Sequence, residues 1–373
     1  MRKLWYAAAT IMGASIGAGV LGIPFAFAKA GVLYGILNLA IVAALILTVN
    51  LYMGEVMLRT KGIHQLTGYA EKYLGKAGKQ LMALALIFGI YGALVAYLIG
   101  IGDVLSALLG GQPFVYMAIF FVIFSALIYA GIKAVSKLEF LFSYLKIAVF
   151  FALAVSMVAF FRIGNMESVK FSLATSFIPY GIVLFSLMAF PSLPEAREIM
   201  LNEEKDLKKA LAFASLTPAV VYTIFAIIFI GVLGKNVGEV AVVGLNVLGP
   251  IQFILGFVFA FLAMATAYVS LGLALHEMYE YDYKMSHNLS FFITCIVPFI
   301  LIVLGVNSFV KVLSMAGAFA GGLTAILIVL MFKKAKKTGE RHPEYHLRMH
   351  KIISWIIILL FAAGIIHEII SFF

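Results

Sequence analysis

Apolar runs of about twenty residues or more, separated by short polar connections, fill most of the chain, a length that suits membrane-crossing helices. Eleven spans are expected, near 5–29, 32–57, 80–109, 113–132, 138–161, 174–200, 208–234, 250–279, 288–306, 308–333 and 350–372. Lipid offers the backbone no hydrogen-bond partners, so these spans predict an all-α membrane protein. Two connections carry their own pattern. Residues 60–76 suit an amphipathic surface helix, and the short apolar stretch 237–248 suits an external cap.

Two spans are interrupted. The first contains GASIGAGVLGIP over 13–24, with four glycines and Pro24 inside a membrane-length run. Glycine costs about 1 kcal/mol and proline about 3 against alanine in a helix, and an unpaired backbone at depth survives only where it lines a cavity or meets a ligand. A small-residue packing seam between Gly13 and Gly17 is the plainer alternative. The sixth span, TSFIPYGIVLFSLMAFPSLPEAREIM over 175–200, carries Pro179, Gly181, Pro191 and Pro194, which predicts a break over 186–189.

Five helices separate the two breaks, and an odd offset inverts one half relative to the other. The pattern predicts a five-helix repeat over 1–161, an inverted repeat over 174–333, and an added eleventh helix over 350–372. Paired breaks in inverted halves point to a secondary transporter with a midplane site. Half-helix N-termini offer N–H groups to a carboxylate, and freed carbonyls accept from an ammonium group. A zwitterion such as an amino acid fits both.

Composition sharpens this picture. Of 373 residues 64% are hydrophobic and 12% charged, with mean hydropathy +1.09, which excludes an ordinary soluble domain. The net charge of +10 reports orientation rather than nucleic-acid binding. Lys and Arg cluster on alternate connections, from Arg2 and Lys3 through Arg59, Lys133, Lys137, Arg197 and Lys284 to the block 333–351, against only Lys29, Arg162, Lys170, Lys235 and Lys311 opposite. The positive-inside rule then places the N-terminus in the cytoplasm and, after eleven spans, the C-terminus outside a cell membrane. No cleavable signal peptide is expected. Cys295 is a lone cysteine, which excludes an intrachain disulfide and a cysteine-based zinc site. His342, Glu344, His346 and His350 fall in a basic segment read as a solvated, headgroup-facing loop. No metal site and no cofactor are expected.

The motif GASIGAGVLGIP resembles the GTxIGAGMLALP signature of aromatic amino acid permeases, and more broadly the amino acid/auxin permease group of the amino acid–polyamine–organocation superfamily. Gly92, Tyr97 and Asp103 of the third span are similar to that group's Gly/Tyr/Asp spacing, and Phe185, Ala189, Phe190 and Pro194 to its Phe-x-x-x-Gly-His-x-x-x-Pro pattern. The resemblance covers nearly the whole chain and implies the leucine-transporter-like fold. Ala189 and Phe190 stand where the group has Gly-His, which implies a more apolar side-chain pocket. Deep carboxylates and arginines are absent from the spans expected to form it, which favours neutral amino acids.

On this reading the substrate lies against Ser15, Ile16, Gly17, Ala18 and Gly19 of the first break, Tyr97 of the third span, and Ser186, Met188, Ala189 and Phe190 of the sixth. Lys146 falls about 12 Å inside the fifth helix at 1.5 Å per residue. Its surroundings resemble the Leu-Lys-Ile pattern of sodium-independent permeases, where the amine replaces a sodium ion. Gly13 stands where sodium-coupled relatives carry asparagine, and Thr266 and Ser270 share one face of the eighth helix. Lys146, Gly13, Thr266 and Ser270 are therefore the expected proton-coupling site, although hydroxyls within a span also bond back to the preceding turn. Arg2 and Trp5 resemble a cytoplasmic gate closing on Glu277 or Glu280, and equally suit orientation and interfacial anchoring. The expected function is proton-coupled, sodium-independent transport of hydrophobic or aromatic amino acids by alternating access. The alternatives are a sodium-coupled amino acid symporter and a metal-ion transporter of the same fold. An intramembrane enzyme is not expected, because Lys146 is the one ionisable residue placed at depth.

Overall fold

The computed structural model describes residues 2–131, 145–146, 148–166, 172–348 and 351–372. Among these residues the chain is helical with no strand. Among the described residues eight helical stretches, with Thr175–Ile199 and Phe309–Thr338 each taken as one, are long and apolar enough to cross a membrane, nine when the bent pair at the N-terminus is counted as a further span. Ala148–Val158 and His287–Val303 are shorter apolar helices. The first half runs α1 (Arg2–Ser15), a 3-10 turn (Ala18–Gly22), α2 (Ile23–Ala30), α3 (Val32–Leu58), α4 (Leu66–Leu109), α5 (Pro113–Ala130) and α6 (Ala148–Val158). The second runs α7 (Leu173–Phe177), α8 (Tyr180–Leu187), α9 (Leu193–Ile199), α10 (Leu207–Leu233), α11 (Pro250–Glu277), α12 (His287–Val303), α13 (Phe309–Ala316), α14 (Gly322–Thr338) and α15 (Lys351–Phe372).

Both expected interruptions occur. Between α1 and α2 the axis bends by 47°, with Gly17 extended at φ −117° and ψ −159°. Between α8 and α9 the chain leaves helical geometry at Met188 (φ −76°, ψ 126°) and Ala189 (φ −134°, ψ 29°). A 3-10 turn over Phe190–Ser192 then leads into α9, where Pro194 sits in the first turn and its missing N–H costs nothing. Gly19 is required by proximity: a Cβ there would lie 2.5 Å from Ser186 Oγ and 3.2 Å from Ser186 Cα. The two breaks therefore touch.

Several boundaries differ from expectation for physical reasons. The surface helix expected over 60–76 begins at Leu66 and meets the third span at Gly75, whose φ of 76° and ψ of −169° are not helical, so α4 is two helices joined at a kink. The stretch 237–248 holds a 3-10 helix, Ala241–Val247, that buries Ala241, Val242 and Leu245. The expected fifth span is described only from residue 145, so Lys133 and Lys137, like Lys170 and His350, lie outside the described residues.

The largest departure is the segment after α14, which is docked rather than solvated. Glu55 is fully buried and takes charge-assisted contacts from Arg59 Nε and Lys336 Nζ, both at 2.8 Å, and from the Leu347 amide at 2.7 Å. Tyr345 donates to the Leu51 carbonyl at 2.7 Å. Arg341 pairs with Glu204 at 2.9 Å and also with Glu344, and the two carboxylates hold its guanidinium above the ordinary arginine range. A buried carboxylate is tolerated only when fully paired, and Glu55 draws the segment down. Arg197 is likewise buried, donating to the Gly62 and Thr60 carbonyls and to Tyr69 Oη at 2.7–3.0 Å, which fastens the end of α9 to the α3–α4 connection. Glu55, Arg197, His276 and Glu368 are each less than a tenth exposed, whereas Lys146 is partly buried.

Candidate substrate site

A cavity of about 570 Å³ lies where the two breaks meet, a volume suited to a small organic molecule. α1 contributes Gly13, Ala14 and Ser15, and the extended residue and 3-10 turn that follow contribute Gly17 and Gly19. Phe185, Ser186, Met188, Ala189 and Phe190 border it from the second break. Tyr97 of α4, Lys146, and Thr266 and Ser270 of α11 complete the ring. Ile16 and Ala18 are not on the wall; Ala18 is fully buried behind it.

The local backbone explains what the cavity can hold. The first N–H groups of a helical turn have no partner within it, and of the turn Ala18–Gly22 it is Gly19 that lines the cavity. On the other side, the last carbonyls of α1 and α8 lack intrahelical partners. One side chain organises them: Tyr222 of α10, fully buried, shares its hydroxyl between the Ser15 carbonyl at 2.6 Å and the Ser186 carbonyl at 3.0 Å. Sequence reasoning did not single out Tyr222, because a tyrosine inside an apolar helix has no local signature. Ser192 Oγ donates to the Ala189 carbonyl at 2.7 Å and so closes the second break from below.

Thr266 donates to the Leu262 carbonyl at 2.7 Å and Ser270 to the Thr266 carbonyl at 2.9 Å. Both hydroxyls thus donate along their own helix, and both residues line the cavity. Lys146 borders the same wall as Gly13, Thr266 and Ser270. Glu195, in the first turn of α9, also borders the cavity and was not expected there. Small residues of α4, Ala85, Gly89 and Ala93, and Ala320 of the π-helical turn Gly317–Gly321 between α13 and α14, also line the cavity and leave the room that a side chain needs.

The expected gate residues lie away from the cavity. Arg2 Nε donates to Tyr6 Oη at 3.3 Å, and the Trp5 ring packs on Phe213 of α10 with centroids 5.3 Å apart. Glu277 closes α11, and Glu280 sits in the π-helical turn Met278–Asp282 beside His276 and His287.

Comparison with known proteins bears on what this arrangement serves. The model of the tryptophan/tyrosine permease family matches residues 1–370. Glutamine transporter 2 of Aliivibrio fischeri is 24% identical over 367 residues, covering 92% of this chain and 93% of that protein. Tyrosine-specific transport system 1 of Haemophilus influenzae is 24% identical over 359 residues, covering 89% and 88%. The amino acid transporter AVT3B of Arabidopsis thaliana is 34% identical over 103 residues, 27% of this chain and 25% of that protein.

Proposed function

The chain belongs to the tryptophan/tyrosine permease family, an integral membrane permease and not an enzyme, and from that premise we propose that it carries neutral amino acids by alternating access, coupled to protons and independent of sodium. One observation carries the reading: two broken helices, interrupted near Gly17 and Ala189, meet at a cavity lined by residues of both. An α-carboxylate would lie against the amides that open the Ala18–Gly22 turn. The α-ammonium group would lie against the carbonyls of α1 and α8. The relatives named for glutamine and tyrosine both point to neutral side chains. The apolar wall around Ala189, Phe190 and Met188 supports large, weakly polar ones.

Within this proposal the two halves, 1–161 and 174–333, are inverted five-helix repeats of the amino acid–polyamine–organocation type, with 350–372 as an additional helix. The N-terminus is cytoplasmic, the C-terminus extracellular, and the membrane is the plasma membrane. Arg2 and Trp5 close the cytoplasmic gate against Glu277. Lys146 is the proton carrier, and Gly13, Thr266 and Ser270, which line the same cavity, complete the coupling site.

Thermal stabilisation of the purified protein across the twenty amino acids tests the substrate, since a ligand of the folded state raises the melting temperature. Tyrosine, tryptophan or glutamine should shift it, and no shift with any amino acid removes the reading. Uptake into proteoliposomes then tests coupling. An imposed pH gradient should drive it and Lys146→Ala should abolish that dependence, whereas uptake that follows sodium alone favours the sodium symporter.

A further inference from the structure

Where α11 gives way to α12, outside the residues that line the substrate cavity, three potential ligand atoms form a nearly equilateral triangle. His276 Nε2 lies 3.3 Å from His287 Nδ1, and Glu280 Oε2 lies 3.2 Å from each of these nitrogens. With Glu280 ionised, protons fit this arrangement less well than a metal ion does. If both imidazoles donate to Glu280, two N–H groups face each other across 3.3 Å. If only one donates, the remaining imidazole turns a lone pair toward either a lone pair or the carboxylate. A dication accepts from all three at once.

The dimensions match a particular chemistry. Nitrogen and carboxylate oxygen bind zinc at about 2.0–2.2 Å in tetrahedral geometry, which separates ligand atoms by about 3.3–3.5 Å. We propose that His276, Glu280 and His287 form a binding site for a zinc-class divalent transition metal, with the fourth coordination position open to water. Two imidazoles and one carboxylate are a borderline-soft set that suits zinc, cobalt or copper better than magnesium or calcium, which call for oxygen ligands.

Local structure holds the triangle in place without a metal. His276 and Glu280 are one turn apart, across the junction from α11 into the π-helical turn Met278–Asp282, and single π turns recur at functional sites. His287 is the first residue of α12, its ring edge-on to His276 at 4.7 Å and to Tyr129 of α5 at 4.9 Å. His276 is buried, whereas the His287 side chain is 44% exposed and gives a metal its way in. The metal would clamp α12 to the end of the helix that carries Thr266 and Ser270 on the cavity wall, and so would restrain α11.

The test uses the full-length protein purified without a polyhistidine tag. Zinc titrated after chelation should bind at one equivalent per chain, and Co²⁺ should give the visible absorption of a four-coordinate centre. His287→Ala and Glu280→Gln should each weaken zinc binding about tenfold to a hundredfold or more, the range seen even for outer-shell losses. His342→Ala, in the other histidine-containing segment, should leave the high-affinity equivalent unchanged. His287 is half exposed, so its loss should not prevent folding, and unchanged thermal unfolding of metal-free His287→Ala would verify this. Absence of a stoichiometric zinc site, or its full retention in both His287→Ala and Glu280→Gln, overturns the proposal and leaves a proton-bridged cluster.

Discussion

Tyr222 Oη stands 2.6 Å from the carbonyl oxygen of Ser15, and the same hydroxyl reaches the Ser186 carbonyl at 3.0 Å. Ser15 ends α1 and Ser186 lies one residue from the end of α8, so a single proton on α10 ties both interrupted helices together. Tyr222→Phe removes it and takes a donor from the buried Ser186 carbonyl, while the Ser15 carbonyl keeps the Gly17 amide at 2.8 Å. The expected cost is about 1–3 kcal/mol, read as a lower melting temperature together with slower uptake. A variant with wild-type melting and uptake would show that the contact organises nothing.

Gly17 and Gly19 differ sharply in what they tolerate. A Cβ at Gly17 has only the Ser15 carbonyl oxygen at 4.0 Å, and its backbone is one that any residue adopts. At Gly19 a Cβ meets Ser186 at 2.5 Å and Phe185 at 3.1 Å. Gly17→Leu should therefore fold and lose amino acid binding, because the side chain enters the cavity. Gly19→Ala should already lower stability by about 1–3 kcal/mol, as overpacked sites do. Ligand-induced melting shifts separate the two, and retained binding in Gly17→Leu would move the substrate elsewhere.

Specificity should depend on Met188, which borders the cavity beside Gly89 and Gly321. Ser186 is a poorer probe, since its Oγ and Cα already crowd Gly19. Met188→Ala should widen the side-chain end of the cavity and raise the ratio of tyrosine to alanine uptake severalfold. An equal change for both substrates counts against a role in side-chain selection.

The docked segment carries a pH dependence. Glu340 accepts from Lys72 Nζ at 2.6 Å and from the Lys61 amide at 2.9 Å, and the Lys72 contact is the main reason its carboxyl is held below the ordinary value of 4.5. A depressed folded pKa means that the stabilisation is fully present above the unfolded value and is lost as pH falls through the folded one. Amide exchange over 339–347, corrected for the intrinsic rate, should stay protected near neutrality and rise below the ordinary carboxylate range. Glu340→Gln should show the raised exchange already at neutral pH. The same exchange at every pH in both proteins would rule out this contact as a latch.

The apolar runs, their polar punctuation and the two proline- and glycine-broken spans are local properties, so the chain alone determined an all-helical membrane protein with interruptions near residues 17 and 188. Helix ends also follow local rules, and the kink between the surface helix and the third span falls at a glycine, Gly75, whose φ of 76° other residues rarely adopt. That Ser15, Tyr97, Met188 and Lys146 border one cavity required packing of segments far apart in sequence. Tyr222 belongs to the same class, since nothing in its own helix announces that two distant carbonyls await its proton. The docking of 339–348 was hidden for a related reason: a basic, histidine-containing stretch looks solvated until a fully buried Glu55 on another helix gives it charges and an amide to satisfy. The His276, Glu280 and His287 triangle shows the division within a single site. Spacing sets two of its members one turn apart, but only the reversal into α12 brings His287 back against them, because that return depends on how two helices pack and not on any residue between them.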